Sequence, residues 1–576
     1  MCSPTSPVKE KSGTAAAPAA SSAPATSEAI QHHRRRRTKR TKQTDVLERL
    51  KNDAPLLTDR MSSSEWTRRR ISRAKAKHGT TKPSGGVDAL LPSLAIIGVL
   101  FFAALAKMGF RGRADVAGID LGTTNSVVCV QRPSGGVGKI ECIPDPFNNS
   151  PIVPSVVSFL DRYGPKMEPK VLVGAEAKMR IDTHPLHTVY HAKRVIGRPY
   201  QDDASKILSD EVEFKVVVDS NATNTVDGME GVAFRIPHSM PSSAEGAADG
   251  RRHLDIPPQQ VGKYIVRHLI DMAKNFLGHE NVKSAVIAIP AKFSSQQRIA
   301  TAEAFTAAGI RVARILEEPT AAALAYGLDK KDGVNHIMVY DFGGGTLDVS
   351  VLHVSDGGYV DVMGSDGDNQ LGGADFDAAV ARALLDKDGI SDIMRRVTDS
   401  LLRIEARLKD DGVGEAGDDL EEMLTAGCPV LKEQPSCTFS SFHTIGEKVK
   451  IGLSAYAEGG GIVEQTCLGL TSETKSLPET ISDFCSSLKP VTLSLTSAEY
   501  DAAVEDLYKR AMLPVRHIIS DLNLRKDEID EVVMVGGTTR MPNIRAMVRE
   551  ELDVEELNTH IDPDLTVAYG AASVID

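Results

Sequence analysis

The sequence of 576 residues lacks the motifs of two common functional sites. It contains no G-x-x-x-x-G-K-[ST] loop, which excludes a nucleotide site of the Walker A type. Its seven cysteines include no C-x-x-C pair and no histidines at zinc-binding spacing, which argues against a structural zinc site. A strong overall charge is also missing, because the formal net charge is −11. The 41% hydrophobic and 25% charged content is ordinary for a globular protein and excludes a fibrous or wholly disordered one.

Four of the cysteines, Cys428, Cys437, Cys467 and Cys485, lie in one stretch of the chain. One interpretation is that they are unpaired residues of the core or the surface. The other is that they form two disulfides in an oxidising compartment. The sequence leaves both interpretations open, and it does not give the pairing.

The N-terminal part differs in composition from the rest. Residues 1–88 hold a segment rich in Ala, Ser, Pro and Thr and two basic clusters, which predicts a disordered basic arm. The uncharged run Ala89–Ala106 has 18 residues, enough to cross a hydrocarbon core, and predicts a transmembrane signal-anchor helix over 89–107. A buried core helix is the alternative.

Lys and Arg are denser before this hydrophobic run than after it. The positive-inside rule then predicts a single-pass protein with a cytosolic N-terminus and the large C-terminal part on the other side of the membrane. We interpret the basic arm as a solvated segment that sets this topology, so no nucleic-acid partner is expected. A nuclear-localisation or nucleic-acid-binding patch is the alternative.

Residues 114–576 alternate between strand and helix patterns, which predicts an α/β architecture. Strand–turn–strand units are predicted at Val116–Val130 and Val334–Val354, helices at Ile256–Leu277, Gln296–Ala308 and Glu499–Leu522, and strands at Ser284–Ile289 and Glu531–Val535. Three stretches near 219–252, 409–441 and 457–492 break this pattern, and we interpret them as surface insertions.

Two similar segments each place an acidic residue at the end of an apolar strand and follow it with glycine. They are Asp120–Ser126 (DLGTTNS) and Asp341–Asp348 (DFGGGTLD). Glycine lets the backbone approach a phosphate, and successive N–H groups can point at its oxygens. One such segment alone is typical of a plain tight turn. The pair, more than 200 residues apart, predicts two similar lobes that hold a triphosphate, with Asp120 organising Mg²⁺ through water.

A third strand-to-glycine segment, Val535–Pro542 (VGGTTRMP), comes near the end of the chain. Its backbone could lie against a nucleoside, and Arg540 could stack on the base as a planar cation. Taken alone, the segment is also typical of a packed strand–helix turn.

The segments GIDLGTTNSVV, VYDFGGGTLDVSVL and VVMVGGTTRMPNI resemble the three nucleotide signatures of the stress-70 (seventy-kilodalton heat-shock) chaperone family. HAKRVIGR, VIAIPAKFSSQQR, ILEEPTAAALAYGLDK, GDNQLGGADFD and DPDLTVAYGAA are further matches, in family order, between about Val116 and Val574. The resemblance implies an actin-like two-lobed ATPase, with ribonuclease-H-like β-sheets flanked by helices and the nucleotide in the cleft between the lobes. ATP or ADP and Mg²⁺ are the implied ligands, with K⁺ as a further candidate ion.

The resemblance also implies a role for each matching residue. The implied catalytic residues are Lys193, Glu318, Thr346, Asp348, Asp120 and Asp341. Asp120, Asp341 and Glu318 would hold the metal through water. The implied nucleotide-binding residues are Gly122, Thr123, Thr124, Asn125, Gly343, Gly344, Gly345, Thr346, Gly373, Glu447, Lys450, Ser454, Gly537, Arg540 and Asp564. Pro290 and Arg298 resemble a relay that carries nucleotide state outward.

The sequence departs from the family pattern at several points. Ile451 replaces an Arg that stacks on adenine opposite Arg540, which predicts weaker nucleotide affinity or looser base selectivity. Glu317 replaces an Asn near the surface used by J-domain co-chaperones, which argues against that partnership. The candidate partners are J-domain or nucleotide-exchange co-chaperones and unknown proteins that bind through the insertions. The chain stops at Asp576, directly after the last nucleotide motif, so we expect no peptide-binding domain.

This arrangement resembles the microsomal, ATPase-core branch of the family and implies an endoplasmic reticulum protein with a luminal core. Two glycosylation triplets, at Asn148 and Asn221, are compatible with a lumen. The leading hypothesis is a membrane-anchored, chaperone-type ATP hydrolase that acts in protein folding or processing. A nucleotide-binding scaffold or exchange-factor-like partner with negligible turnover is the alternative, and a sugar kinase of the same fold is a third.

Overall fold

The structure is a computed structural model. It describes residues 115–132, 139–163, 169–181, 184–219, 225–226, 228–237, 253–410, 423–424, 426–454, 461–474 and 476–575. The predicted basic arm (1–88) and membrane anchor (89–107) lie outside these residues, as does much of the stretch 219–252. Among the described residues, no helix combines the length and apolar character needed to cross a bilayer.

The described strands and helices are numbered in chain order. The strands are β1 (Asp115–Leu121), β2 (Asn125–Arg132), β3 (Lys139–Cys142), β4 (Val153–Pro154), β5 (Val157–Tyr163), β6 (Pro169–Val173), β7 (Thr188–Val189), β8 (Lys215–Val218), β9 (Thr225–Val226), β10 (Met229–Glu230), β11 (Val232–Pro237), β12 (His253–Ile256), β13 (Val282–Ile289), β14 (Arg311–Glu317), β15 (His336–Phe342), β16 (Leu347–Ser355), β17 (Tyr359–Asp368), β18 (Ile462–Gly469), β19 (Lys489–Thr496) and β20 (Glu531–Val535). The helices are α1 (Ala175–Lys178), α2 (Asp203–Glu211), α3 (Pro258–Leu277), α4 (Ser295–Ala307), α5 (Glu318–Ala325), α6 (Gly373–Leu385), α7 (Ile390–Asp410), α8 (Phe439–Ser454), α9 (Ile481–Ser487), α10 (Ser497–Asp521), α11 (Pro542–Leu552) and α12 (Thr566–Ser573).

The two principal sheets share one topology. In the first, with the order β14-β13-β1-β2-β3, the hairpin β1–β2 is flanked by antiparallel β3 and by parallel β13. In the second, with the order β17-β16-β15-β20, the hairpin β15–β16 is flanked by antiparallel β17 and by parallel β20. Each hairpin carries at its turn one of the two segments in which glycine follows an acidic residue, Asp120–Ser126 in the first sheet and Asp341–Asp348 in the second. We call them the acidic-glycine turns. The prediction of an α/β fold with two similar lobes is therefore confirmed at the level of the sheets.

Each sheet has its own hydrophobic core. In the first lobe, β1 and β13 pack with α3, and Phe159, Phe234 and Phe305 are buried there. In the second lobe, Tyr340 and Phe376 are buried among residues of β15, α6, α8 and α10. Burial of apolar surface is the main stabilising contribution to such cores, so the sheets are rigid supports for whatever their turns carry.

Local sequence signals set the ends of the long helices. α3 begins at Pro258, which is tolerated in a first turn, and ends at Gly278, whose left-handed φ of 73° suits glycine. α4 and α10 begin with capping boxes, formed by Ser294 with Gln297 and by Thr496 with Glu499. These helices match the predicted helices within about two residues.

Three disulfides cross-link the described part of the chain. Cys428 pairs with Cys485 and Cys437 pairs with Cys467, which selects the disulfide interpretation of the cysteine-rich stretch. A third disulfide, which the sequence did not predict, joins Cys129 of β2 to the residue opposite it in β3, Cys142. Around the first pair, Cys428 and Phe484 are buried in a small separate core with residues of α7.

Candidate functional site

A cleft of roughly 630 Å³ is lined by both acidic-glycine turns. Every catalytic or nucleotide-binding residue implied by the resemblance lies along it. These are Asp120, Gly122, Thr123, Thr124, Asn125, Lys193, Glu318, Asp341, Gly343, Gly344, Gly345, Thr346, Asp348, Gly373, Glu447, Lys450, Ser454, Gly537, Arg540 and Asp564. Pro290 also lines the cleft, whereas Arg298 is not among the lining residues and instead donates to Glu317 at 2.9 Å. The structure thus brings residues from across the described chain to one place, and their individual roles remain predictions.

The first turn is fastened to its own lobe by one serine. The backbone N–H of Ser155 donates to Thr124 O, and its hydroxyl donates to Gly122 O, each at 2.8 Å. The Ser155 hydroxyl is also 2.8 Å from that of Ser126. These bonds fix the backbone of the turn, and the side chain of Thr124 lies close to Gly344 of the second turn.

The second turn is held by backbone groups of a neighbouring helix. Gly343 N donates to Thr346 O at 3.0 Å, and Gly343 O accepts from Gly373 N at 3.1 Å. Ala374 N donates to Gly344 O at 2.8 Å. The N-terminus of α6 thus supports the turn from behind, and a helix N-terminus next to a phosphate loop favours negative charge nearby.

The two turns approach so closely that glycine is required in the second. A Cβ added at Gly344 would lie 2.5 Å from Oγ1 of Thr124, and one at Gly345 would lie 2.4 Å from Nη2 of Arg194. Arg194 also donates from Nη2 to Gly345 O at 3.0 Å. The side chains of Thr124 and Arg194 from the first lobe therefore occupy the space that the missing side chains of Gly344 and Gly345 leave in the second.

Lys193 and Glu318 form a buried ion pair at the base of the cleft. Lys193 Nζ lies 2.7 Å from Glu318 Oε1, and the two side chains are only 8% and 12% exposed. Glu318 is the first residue of α5, and the Lys193 ammonium also lies 5.8 Å from the centroid of the Phe293 ring. Burial alone would lower the pKa of Lys193, but the charges of Glu318 and Asp120 outweigh it and raise that pKa. Lys193 is therefore a cation at neutral pH.

Three partly buried aspartates give this end of the cleft an excess of negative charge. Burial raises the pKa of Asp120 to about 7, although Lys193 opposes the shift. Burial and the charges of Glu318 and Asp348 raise the pKa of Asp341 well above its usual range. Asp348, opposite Asp341 in the β15–β16 hairpin, has its pKa raised to about 6, chiefly by burial. Such a cluster of carboxylates with raised pKa values favours a bound cation in this part of the cleft.

The residues present fit Mg²⁺ held through water. Asp120 Oδ1 and Thr124 Oγ1 are buried atoms without a hydrogen-bond partner, and both residues line the cleft. Across the described ranges, no three His, Cys, Asp or Glu side chains are grouped closely enough to grip an ion directly. Mg²⁺ sheds its water reluctantly and is usually bound with several waters retained. Asp120, Asp341 and Glu318 would then act on the hydrated ion.

The opposite end of the cleft is formed by Gly373, by α8 and by the segment that contains Thr538 and Arg540. Lys450 of α8 donates to Gly373 O at 3.2 Å, and Thr538 donates to Gly343 O at 2.9 Å. A Cβ added at Gly373 would meet both residues, at 2.7 Å from Thr538 Oγ1 and 3.3 Å from Lys450 Nζ. Gly373 therefore forms the floor, with α8 on one side and the segment containing Thr538 and Arg540 on the other.

Sequence reasoning missed several residues that build the site. Asp377 of α6 lines the cleft and accepts an ion pair from Lys450 at 2.8 Å, with both side chains largely buried. Ser155 and Arg194 fix the turns, as described above. Lys178 of α1 forms an ion pair at 3.3 Å with Glu447 of α8, which links the two lobes at the mouth of the cleft. These contacts join residues far apart in the chain, so no local pattern marks them.

A comparison with known families agrees with this geometry. The model of the family described as Hsp70 protein matches residues 116–402 and 464–575, which is more than half of the chain. This chain belongs to the Hsp70 protein family. It therefore carries a chaperone-type ATPase core, and ATP, Mg²⁺ and co-chaperones are the ligands and partners typical of the family. The match leaves out residues 403–463, yet Glu447, Lys450 and Ser454 from this interval line the same cleft.

Proposed function

We propose that this Hsp70-type core binds ATP with Mg²⁺ in the cleft and hydrolyses it to ADP and phosphate. The observation that carries the proposal is the meeting of two acidic-glycine turns, one from each lobe, around buried carboxylates and one buried lysine. A Gly-rich backbone suits the phosphates, and carboxylates suit a hydrated Mg²⁺. The third segment, with Gly537, Arg540 and Asp564, would face the nucleoside.

The reaction joins the oxygen of a water molecule to the γ-phosphorus and breaks the bond from that phosphorus to the oxygen bridging the β-phosphate. When bound, Mg²⁺ would neutralise charge on the phosphate oxygens. Lys193 would stabilise the charge that develops on the transferred group, because its ammonium is buried and cationic. Glu318, whose Oε1 already accepts from Lys193, would keep this ammonium in place and orient the attacking water.

The test compares wild-type protein with Lys193→Ala in two measurements. We expect MgATP binding to be largely kept, while phosphate release under single-turnover conditions falls by roughly 10²–10³-fold, the usual cost of removing one electrostatic stabiliser. Lys206→Ala is the matched control, because Lys206 lies in the same lobe and is 65% exposed. If the wild-type protein binds ATP but releases no phosphate, the ATPase proposal is wrong and the alternative, a nucleotide-binding scaffold, is favoured.

We also propose that the core lies in the lumen of the endoplasmic reticulum, behind the predicted anchor at 89–107. The three disulfides among the described residues support an oxidising compartment, since cytosolic thiols are normally kept reduced. The microsomal type and a role in protein folding or processing belong to the same proposal. Co-chaperones of the J-domain or exchange-factor class would be its partners.

Sealed microsomes give a direct test of this location. Protease added outside should remove the N-terminal arm, leave the core intact and digest the core only after detergent is added. A cytosolic-side marker on the same vesicles controls for leakage. Digestion of the core in intact vesicles would contradict the luminal assignment and leave the ATPase proposal untouched.

A further inference from the structure

His191 adopts a backbone conformation that few residues other than glycine tolerate. Its φ of 57° and ψ of 19° lie in the left-handed region. Asparagine, aspartate and histidine are enriched there, whereas a β-branched residue is a true outlier. His191 lies two positions before Lys193, at the start of the short turn Ala192–Val195 that carries this lysine. Left-handed residues other than glycine cluster at functional sites, where the surrounding structure holds them in place.

The chain that leads into His191 is fixed in the core of the first lobe. The ring of Tyr190 meets those of His191 and Phe214 edge-on, with centroids 5.1 and 5.3 Å away. The Tyr190 hydroxyl donates to Glu213 Oε2 at 2.9 Å. Phe214 is buried and meets the ring of Phe234 edge-on in the same core. Tyr190 is therefore held on the core side of the chain.

The chain that follows His191 enters the cleft. Arg194 N donates to His191 O at 3.0 Å, which closes the turn. From this turn Lys193 reaches Glu318 at 2.7 Å, and Arg194 reaches the carbonyl of Gly345 at 3.0 Å. Burial lowers the pKa of the His191 imidazole to about 3, so the ring is neutral, and within the described residues its Nδ1 makes no hydrogen bond. The backbone of His191, more than its ring, thus connects the core to the cleft.

We propose that His191 is a positioning residue for Lys193, because its left-handed backbone turns the chain so that the Lys193 ammonium enters the cleft. This inference rests on the proposed ATP hydrolysis, in which that ammonium stabilises the transferred phosphoryl group. The imidazole ring has no chemical part in the role. Residues that tolerate the left-handed region should therefore replace histidine, whatever their side-chain chemistry, and β-branched residues should not.

The test measures phosphate release under single-turnover conditions and MgATP affinity in three variants. His191→Gly and His191→Asn should keep the wild-type rate, because both residues accept the left-handed conformation. His191→Val should lower the rate on the order of 10²-fold and largely keep MgATP binding, since displacing a catalytic group by about 1 Å can cost that much.

Asp553→Val is the matched control. Asp553 follows α11 with a left-handed φ of 56°, and it is not among the residues that line the cleft. Valine there should lower the melting temperature by a similar amount, because the backbone strain is the same, and should leave the rate of phosphate release unchanged.

A double-mutant cycle separates positioning from a general loss of stability. In a Lys193→Ala background, His191→Val should cause no further loss of rate, because its effect passes through Lys193. Equal losses in the Gly, Asn and Val variants would assign the role to the ring and overturn the inference. A lower melting temperature with an unchanged rate in His191→Val would overturn it too. Wild-type protein that releases no phosphate would instead overturn the proposed hydrolysis, and this inference with it.

Discussion

The two acidic-glycine turns occupy equivalent places in two sheets of the same topology, yet they are built differently. The turn of the first lobe, Gly122–Asn125, carries side chains and is fastened by the hydroxyl of Ser155. The turn of the second lobe, Gly343–Gly345, has no side chains and is fastened by backbone N–H groups of α6. Thr124 and Arg194 of the first lobe reach the space that the second leaves open.

This difference indicates that glycine in the second turn makes room for side chains of the first lobe, in addition to letting the backbone approach a phosphate. Backbone conformation does not explain glycine at Gly343, Gly344 or Gly345, because the described glycines with positive φ lie elsewhere in the chain. What forces glycine at Gly344 is the close approach of Thr124, and at Gly345 an added Cβ would displace the end of the Arg194 side chain. Gly343 has no such neighbour. Glycines that look equivalent in the sequence should therefore differ in their tolerance to substitution.

The largest expected effect comes from Gly344→Ala. Its methyl group would lie 2.5 Å from Thr124 Oγ1 and within 3.0 Å of two further Thr124 side-chain atoms, so the lobes must move apart. We expect affinity for MgATP to fall by more than about 100-fold, because catalytic groups tolerate displacements of about 1 Å poorly. Calorimetry and a thermal melt measure the affinity and confirm folding.

Gly343→Ala is the matched control, because its methyl group would meet nothing closer than Thr346 O at 3.7 Å. Combining Gly344→Ala with Thr124→Gly should recover part of the affinity, since the atoms that clash are removed. Equal losses from Gly343→Ala and Gly344→Ala, without recovery in the double variant, would contradict the complementary design of the two turns.

A smaller effect concerns the buried charge of the first lobe. The pKa of Asp120 rises from 3.8 in the unfolded chain to about 7 in the folded, metal-free protein. The partly buried His191, whose pKa burial lowers to about 3, titrates with the opposite sign over part of this range. At Asp120 the folded state binds more protons than the unfolded state, so the contribution of Asp120 to stability falls as pH rises from about 4 to 7. Asp120→Asn should flatten this fall in melting temperature, and Mg²⁺ with ATP should restore stability at pH 8 in wild-type protein only.

The fully exposed Asp527, whose pKa is lowered by Arg525, supplies the control for that series. Its change to Asn should leave the slope between pH 4 and 7 as in wild-type protein. A slope that Asp120→Asn does not alter would mean that the first turn holds no uncompensated charge.

The smallest effect is expected at the mouth of the cleft, where Lys178 and Glu447 join the lobes. The two side chains are 51% and 41% exposed, and ion pairs of this kind contribute little and are screened by salt. Lys178→Ala should speed nucleotide release by no more than about threefold at low salt. Stopped-flow release at low and high salt measures it, and an effect that persists at high salt would contradict an electrostatic origin.

Local features of the fold could be predicted from the sequence, and long-range contacts could not. The hairpins around Asp120 and Asp341, the helix Pro258–Leu277 and the strand Glu531–Val535 follow from periodicity and from glycine at the turns. Their pattern is complete within a few residues, so no knowledge of the tertiary structure is needed to find them.

The remaining features depend on which segments meet in space. The pairing of Cys437 with Cys467 spans 30 residues, and the sequence allowed other pairings. Asp377 looks like an ordinary helix residue until Lys450 is placed beside it. Even the roles of Lys193 and Glu318 came from family resemblance, because neither a lysine in a basic run nor a glutamate before proline indicates a buried ion pair.

The central claim is that turns from both lobes hold one magnesium-bound triphosphate. Titration of the full chain with ATP, in Mg²⁺ and in EDTA, tests it most directly, with Asp120→Asn and Asp341→Asn measured beside the wild type. We predict one ATP per chain, with affinity at least about 100-fold weaker in EDTA and a clear loss in each variant. Equal binding in EDTA, or loss in only one of the two variants, would contradict the claim.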